Sequence, residues 1–261
     1  MKLISLNTWG GKLYPALIQF IKNNSKDTDV FCFQEVFNTP TQNFEHAGYR
    51  LNFYQEISRV LQNFEGYYAS TQNHYVFLTG FVDFELSYGL AIFIKKNIKI
   101  LEEGDFFVFR ERNGADPQNL SYTLPRNVQY IKFVWKDTLM TVCNFHGIWF
   151  PGPKLDSPER LKQSEKIKNF LEKQEGEKIL CGDFNLKLNT ESLKILEGNM
   201  KNLVKDYKIP TTRSKLYDRV EDKFADYILV SPGIKVLDFQ VPNIDLSDHL
   251  PMILEFSKDL E

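Results

Sequence analysis

The sequence predicts a sheet-rich α/β sandwich. Short apolar runs typical of buried strands recur from the amino terminus to residue 256. Between several of them, apolar residues are spaced three and four apart, as in helices that pack on one face. Two of the runs are separated by a tight polar turn and should pair antiparallel, so the pattern favours sheets of mixed character over a simple parallel doubly wound fold.

The first third of the chain alternates strand and helix. Residues 2–6 and 30–33 are apolar runs of strand length, and residues 13–21 between them have helical spacing. Helical spacing returns over residues 54–64, and residues 88–94 are apolar enough for a buried strand. A helix between two short strands is a typical start for an α/β fold.

The middle of the chain predicts a hairpin and a long helix. Residues 130–135 and 139–145 flank a Lys-Asp-Thr turn, which predicts an antiparallel pair. Ser157 followed by Pro158 predicts a helix start, because serine caps free amides and proline tolerates the first helical position. Gly176 is placed to end that helix.

The remaining segments are three strands and one long loop. Apolar runs at residues 178–181, 227–230 and 252–256 predict the strands. Residues 102–125 lack clear periodicity and predict a loop, with a turn at Asn113-Gly114. The chain contains no internal repeat or linker, so residues 1–261 are expected to form one domain, which is within the usual size of a single α/β core.

Composition limits the classes of function. A formal net charge of −2 gives no broad attraction for a polyanion, yet a metal site could supply local positive charge, so a nucleic-acid substrate is neither required nor excluded. Cys32, Cys143 and Cys181 lie in apolar runs and are expected to be buried and reduced. Met1-Lys2 leads directly into a short apolar run without the basic region, long apolar stretch and cleavage site of a secretory signal, and no run approaches the ~18 apolar residues of a membrane span, so a cytoplasmic protein is expected. A monomer is expected as well.

Polar residues stand where predicted strands end, which is where sheets present functional groups. These residues are Asn7, Glu35, His146, Asp183 and Asn185. Each one alone has a structural explanation: Asn7 could cap a helix, the two carboxylates could solvate strand ends, and His146 could be a structural hydrogen bonder. The set as a whole is more informative than any member.

Two further carboxylates adjoin the last strands. Asp226 precedes one of them, and the pair Asp248-His249 precedes the final one. A carboxylate beside an imidazole, with a second carboxylate to orient the ring, suits acid–base catalysis. A plain turn at Asp248-His249 is the alternative.

Six segments now form an ordered series. They are Ser5-Leu6-Asn7-Thr8-Trp9-Gly10, Gln34-Glu35-Val36, Asn144-Phe145-His146, Gly182-Asp183-Phe184-Asn185, Ala225-Asp226-Tyr227 and Ser247-Asp248-His249. In content and order they resemble the motifs of the endonuclease/exonuclease/phosphatase superfamily. The resemblance covers nearly the whole chain, and it implies a four-layer α/β/β/α sandwich of two packed mixed sheets with the site at one edge.

The resemblance also implies roles for these residues. Glu35 and Asp248, helped by Asn7, would hold Mg²⁺ or Mn²⁺. Asp183, Asn185, His146, His249 and Asp226 would be catalytic: the first two position water and phosphate, His146 binds a phosphoryl oxygen, and Asp226 orients His249 for phosphate contact or proton transfer. Oxygen ligands with few imidazoles do suit Mg²⁺ or Mn²⁺ better than zinc, and the cysteines lack a zinc spacing.

The predicted function is therefore a metal-dependent phosphoric ester hydrolase, with a nuclease-type phosphodiesterase acting on nucleic acid favoured. A strand ending in His146, where abasic-site nucleases of the superfamily usually have a tyrosine-bearing strand, resembles instead the pancreatic deoxyribonuclease and neutral sphingomyelinase branches. A phospholipid or small phosphoester substrate remains an alternative. So does a binding module of the same fold without catalysis, although none of the acidic or histidine positions is missing.

Other residues near the motifs are open to two interpretations. Trp149 and Phe150 could form an exposed aromatic pair that stacks a base or touches lipid, or could belong to a loop stiffened by prolines. Lys12, Lys154, Arg126 and Arg213 could contact phosphate, but a solvated surface charge is the commoner role.

Overall fold

The computed structural model describes residues 1–40, 45–219 and 221–258. The strands among these residues are β1 (Lys2–Asn7), β2 (Val30–Asn38), β3 (Glu45–His46), β4 (Tyr49–Arg50), β5 (Phe64–Asn73), β6 (Tyr75–Val76), β7 (Gly80–Phe81), β8 (Ser87–Lys95), β9 (Ile100–Phe109), β10 (Arg126–Trp135), β11 (Thr138–His146), β12 (Glu177–Asp183), β13 (Lys201–Asn202), β14 (Asp226–Val230), β15 (Ile234–Gln240) and β16 (Met252–Lys258). The helices are α1 (Tyr14–Asn24), α2 (Phe53–Val60), α3 (Leu120–Thr123), α4 (Pro158–Glu172), α5 (Glu191–Glu197) and α6 (Leu203–Asp206), with a 3₁₀ turn at Trp9–Gly11.

Most strands belong to two six-stranded mixed sheets. The first sheet has the order β15-β16-β1-β2-β8-β5, and the second has the order β13-β14-β12-β11-β10-β9. In each sheet a central pair is parallel, β1 with β2 and β11 with β12, and the other pairs are antiparallel. The carboxyl ends of each parallel pair therefore lie at the same edge of its sheet.

Helices cover the outer face of each sheet. On the first sheet, Leu17 and Ile21 of α1 join one apolar cluster with Phe31 of β2. On the second, Phe170 of α4 packs its ring against Tyr130 of β10, with centroids 4.9 Å apart. The apolar stripe of each helix thus finds a sheet face, and the result is the predicted four-layer α/β/β/α sandwich.

A polar contact ties the two sheets together within the core. Gln34 Nε2 on β2 donates a 2.7 Å hydrogen bond to Asn144 Oδ1 on β11. Asn144 Nδ2 donates in turn to the carbonyl oxygens of Phe33, at 3.0 Å, and Ala91, at 3.3 Å. Buried polar groups carry a large penalty unless they are paired, so these bonds favour one alignment of the sheets.

The structure corrects three predicted elements. Residues 102–125 are not one loop, since they include most of β9 and the short helix α3. β9 is an edge strand with mostly half-exposed residues, so it lacks the apolar alternation by which buried strands are predicted. The second helix ends at Val60, and Phe64 begins β5 instead. α4 ends at Glu172, before Gly176.

Most other predicted elements are confirmed. The hairpin of β10 and β11 turns at Lys136 and Asp137, which both have positive φ, as a two-residue hairpin turn requires. The Ser157 side chain caps α4 by accepting a hydrogen bond from the Arg160 amide. The three cysteines are free and buried. No helix in the described part of the chain is long and apolar enough to cross a bilayer.

Candidate active site

Polar side chains from the two sheets meet at one edge of the sandwich. Asn7 ends β1 and Asp183 ends β12, in different sheets, yet Asn7 Nδ2 donates a 3.1 Å hydrogen bond to Asp183 Oδ2. His146 ends β11, and its Nε2 lies 3.7 Å from the same Asp183 oxygen. The parallel pairs place these strand ends side by side, so residues up to 176 positions apart in sequence come into contact.

Glu35 owes its position to a β-bulge. The register between β2 and β8 shifts between Phe33 and Val36, and Glu35 has a left-handed backbone, with φ at 58°. Its Oε1 lies 3.8 Å from His146 Nε2. Burial, followed by the Asp248 and Asp183 carboxylates, raises the pKa of Glu35 to about 8. Negative charge is therefore concentrated here, and a bound cation would relieve the repulsion.

The Gly-Asp-Phe-Asn segment forms the end of β12 and the first residues after it. The Asn185 amide donates to Asp183 Oδ1 at 3.0 Å, and Asn185 Nδ2 donates to the Gly147 carbonyl at 3.3 Å. Asn185 Oδ1 is buried and has no hydrogen-bond partner among the described residues. It is therefore available to a ligand or water in the cleft.

His249 and Asp226 form a buried pair. His249 Nδ1 lies 2.8 Å and 2.9 Å from the two Asp226 oxygens, which assigns the proton to Nδ1 and turns Nε2 toward Asp183 Oδ2, 3.6 Å away. Burial, reinforced by Arg213, lowers the pKa of His249, and burial raises the pKa of Asp226. The imidazole is thus held neutral in a single orientation.

The segment around Arg213 holds this pair in place. Residues 212–214 run antiparallel to residues 248–250: the Ser214 amide donates to the Asp248 carbonyl at 3.1 Å, and the Leu250 amide donates to the Thr212 carbonyl at 2.9 Å. Thr212 Oγ1 also accepts a 3.2 Å hydrogen bond from the Asp226 amide. The sequence predicted Arg213 only as a possible phosphate contact and gave no sign of the hydrogen bonds of Thr212 and Ser214.

Arg213 on this segment reaches the centre of the site. Its Nη1 contacts His249 Nε2 and lies 3.5 Å from Asp248 Oδ2. Its guanidinium lies over the Tyr217 ring, 4.1 Å from the centroid. A guanidinium in contact with Nε2 makes that nitrogen a hydrogen-bond acceptor, in agreement with a neutral His249.

His146 is a second neutral imidazole. Its Nδ1 shares a 3.1 Å hydrogen bond with the Tyr88 hydroxyl. Burial, and then Arg126 and other cations, lower its pKa well below the ordinary value. Its Nε2 faces the carboxylates of Glu35 and Asp183, and so the ring lies at the same point of the cleft as the acidic residues.

These groups line a cleft of about 230 Å³. Its lining residues outside the polar set are mostly aromatic or aliphatic: Trp9, Tyr49, Tyr75, Phe77, Leu120, Leu124, Trp149 and Tyr217. Trp149 is 36% exposed, whereas Phe150 packs on Phe109 and Tyr122, so the predicted exposed pair is reduced to Trp149 alone. Lys12 lies over the rings of Trp9 and Tyr49 at the rim.

Three cations for which a surface role was favoured are in fact buried. Arg126 is 4% exposed, Arg213 is 7% exposed and Lys154 is 1% exposed. Both arginines line the cleft, and Lys154 Nζ lies behind it, 3.5 Å from the Tyr217 hydroxyl. Burial and Arg213 lower the pKa of Lys154 to about 8. The site is thus rich in positive charge despite the net charge of −2.

The site offers donors for a metal ion. Ligand atoms of Asp183, Asp226 and His249 all lie within 4.8 Å of one another. Both oxygens of Asp226 are engaged by His249, however, whereas Glu35 has no cation within 4.0 Å among the described residues, since its partner His146 is neutral. Oxygen-rich donors with uncompensated charge fit a hard divalent cation such as Mg²⁺ or Mn²⁺.

A comparison with protein families decides the family. The model of the Endonuclease/Exonuclease/phosphatase family matches residues 4–249. The chain belongs to this family. All six motif segments lie inside the matched range. Members of the endonuclease/exonuclease/phosphatase family are hydrolytic phosphoesterases that generally use divalent metals.

Solved structures share the fold of this endonuclease/exonuclease/phosphatase family chain at low sequence identity. A family protein from Bacteroides thetaiotaomicron has a TM-score of 0.73 and 19% identity, with 100% of this chain and 98% of that one covered. A mannosyl-6-phosphatase from the same species has a TM-score of 0.70 and 20% identity, covering 98% and 99%. The human Nocturnin catalytic domain, with a bound sulfate anion, has a TM-score of 0.65 and 17% identity, covering 99% and 93%. A comparison with curated protein sequences gave no match.

Proposed function

We propose that this protein is a divalent-metal-dependent phosphoesterase in which water attacks phosphorus. One observation carries the proposal: the buried Asp183 carboxylate and the half-buried carboxylates of Glu35 and Asp248 meet the His249–Asp226 pair in a single cleft. Such a set can bind a hard cation, orient water and hold phosphoryl oxygens without a covalent enzyme intermediate.

The metal ligands in this proposal are Glu35 and Asp248, with Asn7 assisting. Asn7 Oδ1 accepts a hydrogen bond from the Trp9 amide and keeps a second lone pair. Asp248 Oδ1 accepts a 3.2 Å hydrogen bond from Ser247 Oγ, which orients the carboxylate. A bound Mg²⁺ or Mn²⁺ would neutralise phosphate charge and make water a better nucleophile.

The remaining residues act on water and phosphate. Asp183 is fixed by hydrogen bonds from Asn7 and from the Asn185 amide, so its free lone pairs can orient the attacking water. Asn185 presents its unpartnered oxygen to the same space. Both imidazoles are neutral: His146 can donate a hydrogen bond from Nε2 to a phosphoryl oxygen while its Nδ1 accepts from the Tyr88 hydroxyl, whereas His249, with its proton on Nδ1, presents Nε2 as a proton acceptor. Arg213 supplies positive charge beside His249.

The shape of the cleft bears on the substrate. A volume of about 230 Å³ bounded by aromatic rings can take one phosphate and one ring or sugar, which is less than duplex DNA presents. The cleft therefore favours the end of a nucleic-acid strand or a small phosphoester. Aromatic faces stack on bases and on sugars alike, so a direct test must distinguish a nucleic-acid end from a small phosphoester as substrate.

The test is hydrolysis across a panel with Mg²⁺, Mn²⁺ or EDTA. The panel contains single-stranded and duplex DNA, RNA, small sugar and nucleoside phosphates, sphingomyelin and phosphoinositides. Asp183→Asn is the active-site variant, and Asp206→Asn, an exposed carboxylate on α6, is the matched control. We expect metal-dependent turnover of one class, reduced at least about 100-fold by Asp183→Asn alone. Binding without turnover of any class would indicate a non-catalytic module instead.

A further inference from the structure

Arg126 is a buried cation that the proposed chemistry does not use. It begins β10, is 4% exposed and lines the cleft. Two of its guanidinium nitrogens, Nε and Nη1, are buried and have no hydrogen-bond partner among the described residues. Burying an unpaired charge is costly, so we expect a ligand to accept hydrogen bonds from this guanidinium.

The other cleft arginine is in a different situation. Arg213 lies 3.5 Å from the Asp248 carboxylate, contacts His249 and stacks on Tyr217. For Arg126, no carboxylate of the described residues lies within 4.0 Å. Arg213 therefore has a carboxylate within ion-pair distance, whereas Arg126 has only the more distant electrostatic interaction with Glu35 among the described residues.

The two arginines also occupy different parts of the cleft. Arg213 acts electrostatically on Asp183, Asp226 and Asp248, around the point where water would attack. Arg126 acts on Tyr75, Tyr88 and His146 and also on Glu35, but not on Asp226. The phosphate that is hydrolysed must reach Asp183 and His249, so it meets Arg213 first.

The surroundings of Arg126 complete a second subsite. Tyr75, Leu124 and Tyr88 belong to one apolar cluster beside it, and Phe77 packs on that cluster and lines the cleft. The Tyr75 and Phe77 rings meet edge to face, with centroids 5.6 Å apart. A guanidinium with open donors beside aromatic surface fits an anionic group attached to a ring or sugar.

We propose that Arg126 binds a second anionic group on the organic part of the substrate. The favoured substrates are then phosphoesters that carry another phosphate one sugar or ring unit away from the ester that is cleaved. This chemistry occurs at the end of a nucleic-acid strand and in small bisphosphates. The inference rests on the proposed phosphoesterase function and makes Arg126 a specificity-determining residue.

The first experiment compares matched substrates that differ by one anionic group. The pairs are a nucleoside 3′,5′-bisphosphate with the 5′-monophosphate, a 5′-phosphorylated dinucleotide with the same dinucleotide lacking the 5′-phosphate, and a hexose bisphosphate with the hexose monophosphate. We expect kcat/KM to favour the bis-anionic member of at least one pair by about 10- to 100-fold, the range that a charge-assisted hydrogen bond supplies. The pair that shows the preference distinguishes a strand end from a small bisphosphate.

Variants then assign the preference to Arg126. Arg126→Gln should abolish it mainly by raising KM for the bis-anionic substrate, Arg126→Lys should restore part of it, and Arg110→Gln, at an exposed arginine, should leave the ratio as it is. An unchanged ratio in Arg126→Gln would overturn the inference. An equal loss of kcat on both substrates would also overturn it, since Arg126 would then contact the phosphate that is cleaved.

A binding experiment separates this inference from the proposed function. Titration of the Asp183→Asn variant with the same ligands, in Mg²⁺, measures affinity without turnover. Tighter binding of the bis-anionic ligand that disappears in the Asp183→Asn/Arg126→Gln double variant supports the inference even if the native protein hydrolyses no substrate of the panel. Equal affinity for both ligands in Asp183→Asn would refute it whatever the activity.

Discussion

Replacing Asp226 by Asn tests the role of the buried carboxylate behind His249. In the native site both Asp226 oxygens lie within 2.9 Å of His249 Nδ1, and they hold the proton on that nitrogen. Asparagine keeps one oxygen acceptor and replaces the other with an amide donor. If the amide turns its NH₂ toward Nδ1, the proton must move to Nε2, where it would point at the Arg213 guanidinium. The His249 imidazole then changes either its tautomer or its position.

The size of the effect follows from what is lost. A general acid–base contribution from a positioned side chain is worth about 10²- to 10⁴-fold in rate, and loss of the correct tautomer reaches the upper end of that range. We therefore expect kcat to fall by about 10²- to 10⁴-fold, which corresponds to about 3–5 kcal/mol of transition-state stabilisation. Because the metal and the cleft wall still bind the substrate, KM should change by less than about threefold.

The assay is steady-state hydrolysis of the best substrate of the panel at saturating Mg²⁺ or Mn²⁺. Asp206→Asn makes the same chemical change at an exposed site and should keep native kcat. Thermal unfolding should show that Asp226→Asn is folded and no less stable than the native protein, because burial already raises the pKa of this carboxylate. A loss of kcat smaller than tenfold in a folded Asp226→Asn variant would refute the argument.

Two further substitutions test the local structure. Gly182→Ala would place a Cβ atom 2.0 Å from the Phe145 carbonyl oxygen, at a residue with φ of 134°. We therefore expect the free energy of unfolding to fall by more than about 3 kcal/mol, measured as a fall in melting temperature of about 6–12 °C. A fall in melting temperature of less than about 2 °C would contradict this prediction. Lys154→Met removes a buried ammonium and should raise the free energy of unfolding at pH 7 by about 1–2 kcal/mol. In the native protein Lys154 loses its proton near pH 8, but in the unfolded chain near 10.5, so the unfolded chain binds more protons between these values and native stability rises with pH there. The gain in free energy of unfolding of Lys154→Met over the native protein should therefore be complete below pH 8 and vanish above about 10.5. Urea unfolding at pH 7 and pH 10 measures this difference. A variant that is less stable than the native protein at pH 7 would contradict the prediction.

The strand-end residues were predictable because they follow a local rule. A polar residue that directly follows an apolar run leaves the sheet at its edge, and Asn7, His146 and Asp183 do so in the structure. The order of the six motifs then predicted the family and, through it, the four-layer sandwich. Which strands are neighbours did not follow from any single run, because pairing depends on residues far apart in the sequence.

The backbone geometry of the site was not predictable in the same way. Glu35 lies in a β-bulge with a left-handed backbone, and nothing in Gln34-Glu35-Val36 marks a bulge, since the bulge exists only relative to the partner strand β8. Likewise Thr212 and Arg213 act through hydrogen bonds to the segments around Asp226 and His249. A segment without helix or strand periodicity gives no local sign of such contacts.

The sequence by itself determined the elements with strong periodicity, the family and the candidate catalytic residues, because each of these depends on residue types at short spacing. Only the tertiary structure decided that Arg126, Arg213 and Lys154 are buried rather than solvated. It also decided that Arg213 has a carboxylate within 4.0 Å whereas Arg126 has none in the described part of the chain. The physical reason is that the burial and pairing of a charge depend on which distant groups fold around it. The residues next to a charged side chain in the sequence do not indicate which distant groups will surround it in the fold.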